Sequence, residues 1–109
     1  MTIVKQGVRL HGVCPQMFFA ARVYEDLWNK HDYPAAITAG IEGKHKRNSE
    51  HWDGKALDFR TWLDATGKQM SMKLKESLAK ELQARLGEEY TVIAEGNHIH
   101  VHYSGLKAS

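Results

Sequence analysis

The 109-residue chain has a single cysteine, Cys14. It can therefore form no internal disulfide, and a zinc site of the multi-cysteine structural kind is excluded. Any metal must be held by histidine and carboxylate. No apolar run approaches the ~20 residues of a membrane-spanning helix, and the opening MTIVKQGVRLHG lacks the apolar core of a secretory leader. The expectation is a protein made in the cytoplasm without a signal peptide and without a membrane span. Charge of one sign is also scarce, with 15 Lys and Arg against 13 Asp and Glu. The one basic cluster, Lys44 to Arg47, reads as a solvated loop rather than a phosphate-binding stripe, which argues against nucleic acid as a partner. Internal repeats and low-complexity segments are absent.

The composition is that of an ordinary globular domain, 42% hydrophobic and 26% charged, with three Trp, four Tyr and three Phe to anchor a core. The length suits one domain, residues 1–109, and a monomer is the simplest expectation. Pro15 stands where a helix would begin, and Met17, Ala20, Ala21, Tyr24, Leu27 and Trp28 form an apolar stripe that predicts a helix from Pro15 to Lys30. The short apolar run Ala35 to Ala39, bounded by Pro34 and Gly40, reads as a strand. Lys55 to Arg60 alternates, with Ala56 and Asp58 facing one way and Leu57 and Phe59 the other. Met70, Leu74, Leu78 and Leu82 predict an amphipathic helix over Gly67 to Leu86, ended by Gly87. Tyr90 to Ala94 and His98 to Tyr103 form a β-hairpin joined through Gly96 and Asn97. The predicted fold is α+β: a small antiparallel sheet packed against two helices.

Five of the seven histidines fall in or just ahead of two stretches, SEHWDGKALD and EGNHIHVHY. Histidine fills space poorly and binds metals or moves protons well, so such clustering needs a reason. On a strand, His98, His100 and His102 share a face, while Ile99 and Val101 face the core. Alternating polar residues are ordinarily a solvated sheet face, but three imidazoles beside a second cluster are harder to dismiss. In that cluster His51 precedes Asp58 by seven residues, with Gly54 between them to allow a sharp turn into the strand. Catalytic zinc takes three protein ligands from His, Asp and Glu and leaves one position open. His51, Asp58 and one hairpin histidine satisfy that count.

SEHWDGKALD, with Ser49, His51, Gly54, Ala56 and Asp58, resembles the S-x-H-x-x-G-x-A-x-D motif of the zinc D-Ala-D-Ala carboxypeptidase and dipeptidase family. That family shares its fold with the Hedgehog signalling domain and with phage endolysins that cut peptidoglycan stem peptides. EGNHIHVHY resembles the second motif of the superfamily, and GVRLHGVCPQMFFAARVYEDL resembles the first helix of small phage and prophage members.

The resemblance implies a Hedgehog/DD-peptidase-like fold, one zinc ion, and hydrolysis of an amide bond in peptidoglycan stem peptides by a cell-wall-degrading, phage-associated enzyme. It implies His51, Asp58 and His100 as zinc ligands, Glu95 as general base toward the water that zinc would activate, and His98 as stabiliser of the tetrahedral intermediate. His45 or Arg47 would bind a substrate carboxylate, and Ser49, of the first motif, and Trp52 would also meet substrate. One feature departs from the dipeptidase pattern, in which the acidic residue stands three positions before the liganding histidine. Glu95 is three before His98 and five before His100, so either histidine can be the third ligand. A non-catalytic zinc-binding structural or interaction module of the same fold is the competing reading, and retention of Glu95 favours the enzyme because a structural zinc needs no base.

Overall fold

A computed structural model of the chain describes residues 3–40 and 54–105. Its elements in order are β1 (Ile3–Val4), α1 (Pro15–Lys30), β2 (Ala36–Ala39), β3 (Ala56–Arg60), α2 (Met72–Leu86), β4 (Tyr90–Ala94) and β5 (His98–Tyr103). The fold class is α+β. The strands form one sheet in the order β1-β2-β3-β5-β4.

The sheet is mixed rather than wholly antiparallel. Ile3–Val4, unassigned by sequence pattern, pairs in parallel with β2, while β2, β3, β5 and β4 pair antiparallel to one another. Parallel neighbours need a long crossover, and α1, lying between β1 and β2 in the chain, supplies it. A strand of two residues is too short to display the alternation by which strands are recognised.

In α1 the six stripe residues Met17, Ala20, Ala21, Tyr24, Leu27 and Trp28 are the buried ones, and Pro15 opens the helix behind Cys14 as N-cap. Helix α2 begins at Met72 rather than Gly67. The Ser71 hydroxyl accepts the Leu74 amide at 3.2 Å and so caps the helix there. The preceding residues instead form a turn closed by a bridge between Trp62 and Gln69. The buried face of α2 consists of Lys75, Leu78, Ala79, Leu82 and Leu86. Both helices cover one face of the sheet, α1 against β3 and β5 and α2 against β4. Their apolar stripes meet Ile37, Leu57, Phe59, Ile99 and Val101 in the core.

Strand β4 lies at the sheet edge, where unpaired backbone groups invite association. Gln83 of α2 blunts that edge, its Nε2 donating to Tyr90 O at 2.7 Å and its Oε1 accepting the Val92 amide at 3.0 Å.

Tyr24 ties helix to sheet. Its ring stacks on Phe59 at 4.3 Å between centroids and tilts against Trp28 at 4.4 Å. Its hydroxyl donates to Arg60 O at 2.8 Å and accepts the Ala36 amide at 3.1 Å, bridging β3 and β2 from inside the core. Removing the hydroxyl would strand two buried backbone groups, at about 1–3 kcal/mol for an unsatisfied group. Tyr24→Phe is therefore expected to cost about 2–3 kcal/mol, read as a lower urea midpoint with an unchanged slope. Burial pushes the Tyr24 hydroxyl well above the ordinary phenol range, against the lowering influence of the Ala36 hydrogen bond and the Arg60 charge. The folded state thus holds this proton more tightly than the unfolded chain. The contribution is fully present below about pH 10 and is lost as pH rises above it. The alkaline fall in stability should be shallower in Tyr24→Phe, which a pH series of urea melts would record.

Candidate functional site

The face of the sheet opposite the helices carries the chemistry. Register places Asp58 directly across from His100, Arg60 across from His98 and Ala56 across from His102. On the far side of β5, Ile93 lies opposite His100 and Thr91 opposite His102. Directly opposed residues share a face. Three imidazoles, one carboxylate and one guanidinium therefore stand in two adjacent rows on the side away from the helices, while Leu57, Phe59, Ile99 and Val101 alternate into the core at 0% exposure.

Asp58 is the hub of this array. His100 Nδ1 lies 2.9 Å from Asp58 Oδ1, and His98 Nε2 lies 3.6 Å from Asp58 Oδ2. All three side chains are half-buried, at 15% exposure for Asp58, 17% for His100 and 26% for His98. His98 Nδ1 is 2.7 Å from Asn97 Oδ1. Assigned as a donor to that oxygen, Nδ1 carries the proton and leaves the Nε2 lone pair facing the Asp58 carboxylate. A lone pair and a carboxylate oxygen repel unless a proton or a cation lies between them. A neighbour that fixes the tautomer in this way is the usual means of orienting a metal-binding imidazole.

Glu95 enters from the hairpin turn. Its amide donates to His98 O at 2.8 Å, closing a turn in which Gly96 and Asn97 are the two central residues. The Glu95 side chain is exposed, and among the described residues no hydrogen bond or ion pair engages its carboxylate. The turn itself is anchored from below by Lys75, a 2%-exposed lysine of α2 whose Nζ donates to Gly96 O. Sequence reasoning missed Lys75 because a lysine in a helix reads as solvent-facing. The available signal was its position three, four and seven residues before the buried Leu78, Ala79 and Leu82.

Beside Asp58 and His98 opens a cleft of about 430 Å³, lined among others by Lys5, Arg60, Trp62 and Gln69. Arg60 lies over the Trp62 ring, with Cζ 3.7 Å from the ring centroid. Trp62 forms part of the cleft wall. Lys5, Arg60 and Gln69 were not singled out from sequence.

The structure thus brings together Asp58, His98 and His100, with Glu95 at the neighbouring turn. His102 shares their face one pair further along. His51 as a ligand, and His45, Arg47, Ser49 and Trp52 as substrate-binding residues, lie outside the described residues. Among the described residues no group of three His, Cys, Asp or Glu side chains is arranged to hold a metal ion by itself. The donor chemistry present does fit zinc, since an aspartate oxygen and imidazole nitrogens are its ordinary ligands. A complete zinc site would need a third ligand beyond these side chains. Among the described residues no helix is long and apolar enough to cross a membrane. No protein-family model matches the chain, and no curated protein matches it.

Proposed function

We propose that this chain is a zinc-dependent metallopeptidase of Hedgehog/DD-peptidase-like fold that hydrolyses an amide bond in peptidoglycan stem peptides. The observation that carries the reading is the convergence of His98 and His100 on the two oxygens of Asp58, on a sheet face the helices leave open. The resemblance of the two histidine stretches to the paired motifs of that family supports it from the sequence side.

Asp58 and His100 would hold the metal together with His51, and His98 stands close enough to Asp58 to take the place of His100 or to assist beside it. Zinc, when bound, would polarise the scissile carbonyl and lower the pKa of a water toward neutrality. Glu95, exposed and uncommitted at the adjacent turn, would accept a proton from the attacking water and return it to the departing amine. His98, its ring held by Asn97, would donate to the oxyanion when protonated on Nε2. Lys75 would act through the backbone alone, keeping the turn that carries Glu95 and His98 in place.

Metal analysis of untagged protein should find one zinc per chain, lost in His51→Ala. The zinc-loaded protein should release new amino termini from purified murein, and Glu95→Ala should keep its zinc and lose that release. Zinc retained without any release across stem-peptide types would make the chain a non-catalytic zinc module. Metal absent from the wild-type protein would sink both readings.

A further inference from the structure

The cleft beside Asp58 carries two cations that amide hydrolysis does not require. Arg60 stands next to Asp58 on the same face of β3 and directly opposite His98 on β5. Its guanidinium is held against Trp62 at 3.7 Å, and Trp62 is itself fixed by its bridge to Gln69. The Arg60 Nε is buried without a hydrogen-bond partner, and among the described residues no carboxylate pairs with Arg60. Lys5 contributes a second positive charge to the same cleft. Among the described residues the one carboxylate lining it, Asp58, is occupied by His98 and His100. A donor buried without an acceptor is costly, and a guanidinium stacked on an aromatic keeps its in-plane N–H groups available for a forked acceptor.

We propose that Arg60, with Lys5, forms a subsite for a carboxylate group of the substrate, set one to two residues from the amide that is cleaved. The word substrate here rests on the peptidase reading. The spacing follows from the strand: residues two apart on β3 are about 6.8 Å apart at ~3.4 Å per residue, and an extended peptide in the cleft repeats at the same interval. A carboxylate on Arg60 therefore places the neighbouring amide, or the next, at Asp58. Such a group could be the free C-terminus of a peptide or an acidic side chain within it, and the two differ only in how they are attached.

Binding by the full-length, zinc-loaded chain would be followed by NMR shift titration with N-acetyl-alanine and N-acetyl-alaninamide for the terminal carboxylate. N-acetyl-glutamic acid α-amide and N-acetyl-glutaminamide would serve for the side-chain carboxylate. At least one acid should bind tenfold or more tightly than its amide, and which one does so identifies the source. Arg60→Gln should abolish the preference. Arg60→Lys should restore it in part, because charge is kept and the fork is lost, and Arg22→Gln, on the exposed face of α1, should leave it intact. Acid and amide binding equally well, or a preference that survives Arg60→Gln, would overturn the subsite. Murein hydrolysis with no such preference removes the subsite and spares the peptidase reading. A preference for the acid without hydrolysis keeps the subsite and removes the peptidase reading.

Discussion

Asp58→Asn should leave a folded protein that binds little zinc and releases amino termini from murein at least about 1,000-fold more slowly than the wild type. The substitution keeps the size of the side chain and exchanges an anionic oxygen for a neutral amide. Asp58 contacts both candidate imidazoles, so whichever of them is a ligand, the carboxylate is the donor common to both arrangements. Electrostatic assistance by a bound metal amounts to several kcal/mol of transition-state stabilisation, and each 1.36 kcal/mol is tenfold in rate, which sets the order of the expected loss. Single substitutions of the histidines should then divide. His100→Ala should resemble Asp58→Asn if His100 is a ligand, whereas His98→Ala should retain zinc and lower the rate alone. The reverse pattern would make His98 the ligand. Zinc content and rate measured together on the three variants read this directly. An Asp58→Asn variant that kept full metal and full rate would remove the centre from this face altogether.

The site was readable where strand alternation does the positioning. Three histidines spaced by two share a face whatever the tertiary structure, and Asp58, alternating with Leu57 and Phe59, had to face away from the core. That these two rows adjoin was not readable, because β3 and β5 start 42 residues apart, at Ala56 and His98, and nothing local specifies which strands pair. Arg60 went unremarked for a related reason: its importance comes from Trp62 and from the cleft, neither of which has a signature in residue spacing. Lys75 was hidden by residue type, since its burial depends on a backbone carbonyl, Gly96 O, brought over from a distant turn. In the fold, the six-residue stripe of α1 and the hairpin around Gly96 and Asn97 were legible because both are local patterns. The start of α2 was misjudged by five residues. The apolar period continues back through Met70, and the Ser71 cap with the Trp62 to Gln69 bridge outweighs it. Gln83, one polar residue among several on α2, gave no sign that it would close the sheet edge.

Gly54 is the position where a small change should do the most damage to the fold. It sits at φ +71°, and a Cβ built there would lie 2.1 Å from the carbonyl oxygen of Gly12, far inside contact distance. The atom in the way is backbone, in the loop leading to α1, and that loop is also bound to this point by the Cys14 amide donating to Gly54 O at 2.7 Å. An alanine would have to push apart two segments held together by a hydrogen bond. Left-handed backbone costs a non-glycine residue about 1–2 kcal/mol, and forcing atoms into a filled space adds about 1–3 kcal/mol. Gly54→Ala is thus expected to lose about 3–4 kcal/mol, a large fraction of the 5–15 kcal/mol that is about all a domain has. Gly87 supplies the control, because it has φ +93° with nothing within 4 Å of its would-be Cβ. Gly87→Ala should show the conformational cost alone, about 1 kcal/mol. Equal losses in the two variants would mean that the close approach to Gly12 contributes nothing. The consequence for chemistry follows from chain order: Gly54 stands three residues after His51 and four before Asp58. Displacing it moves the origin of the strand that presents the carboxylate, so the fraction of Gly54→Ala that remains folded should also bind zinc more weakly, whereas Gly87→Ala should bind it as the wild type does.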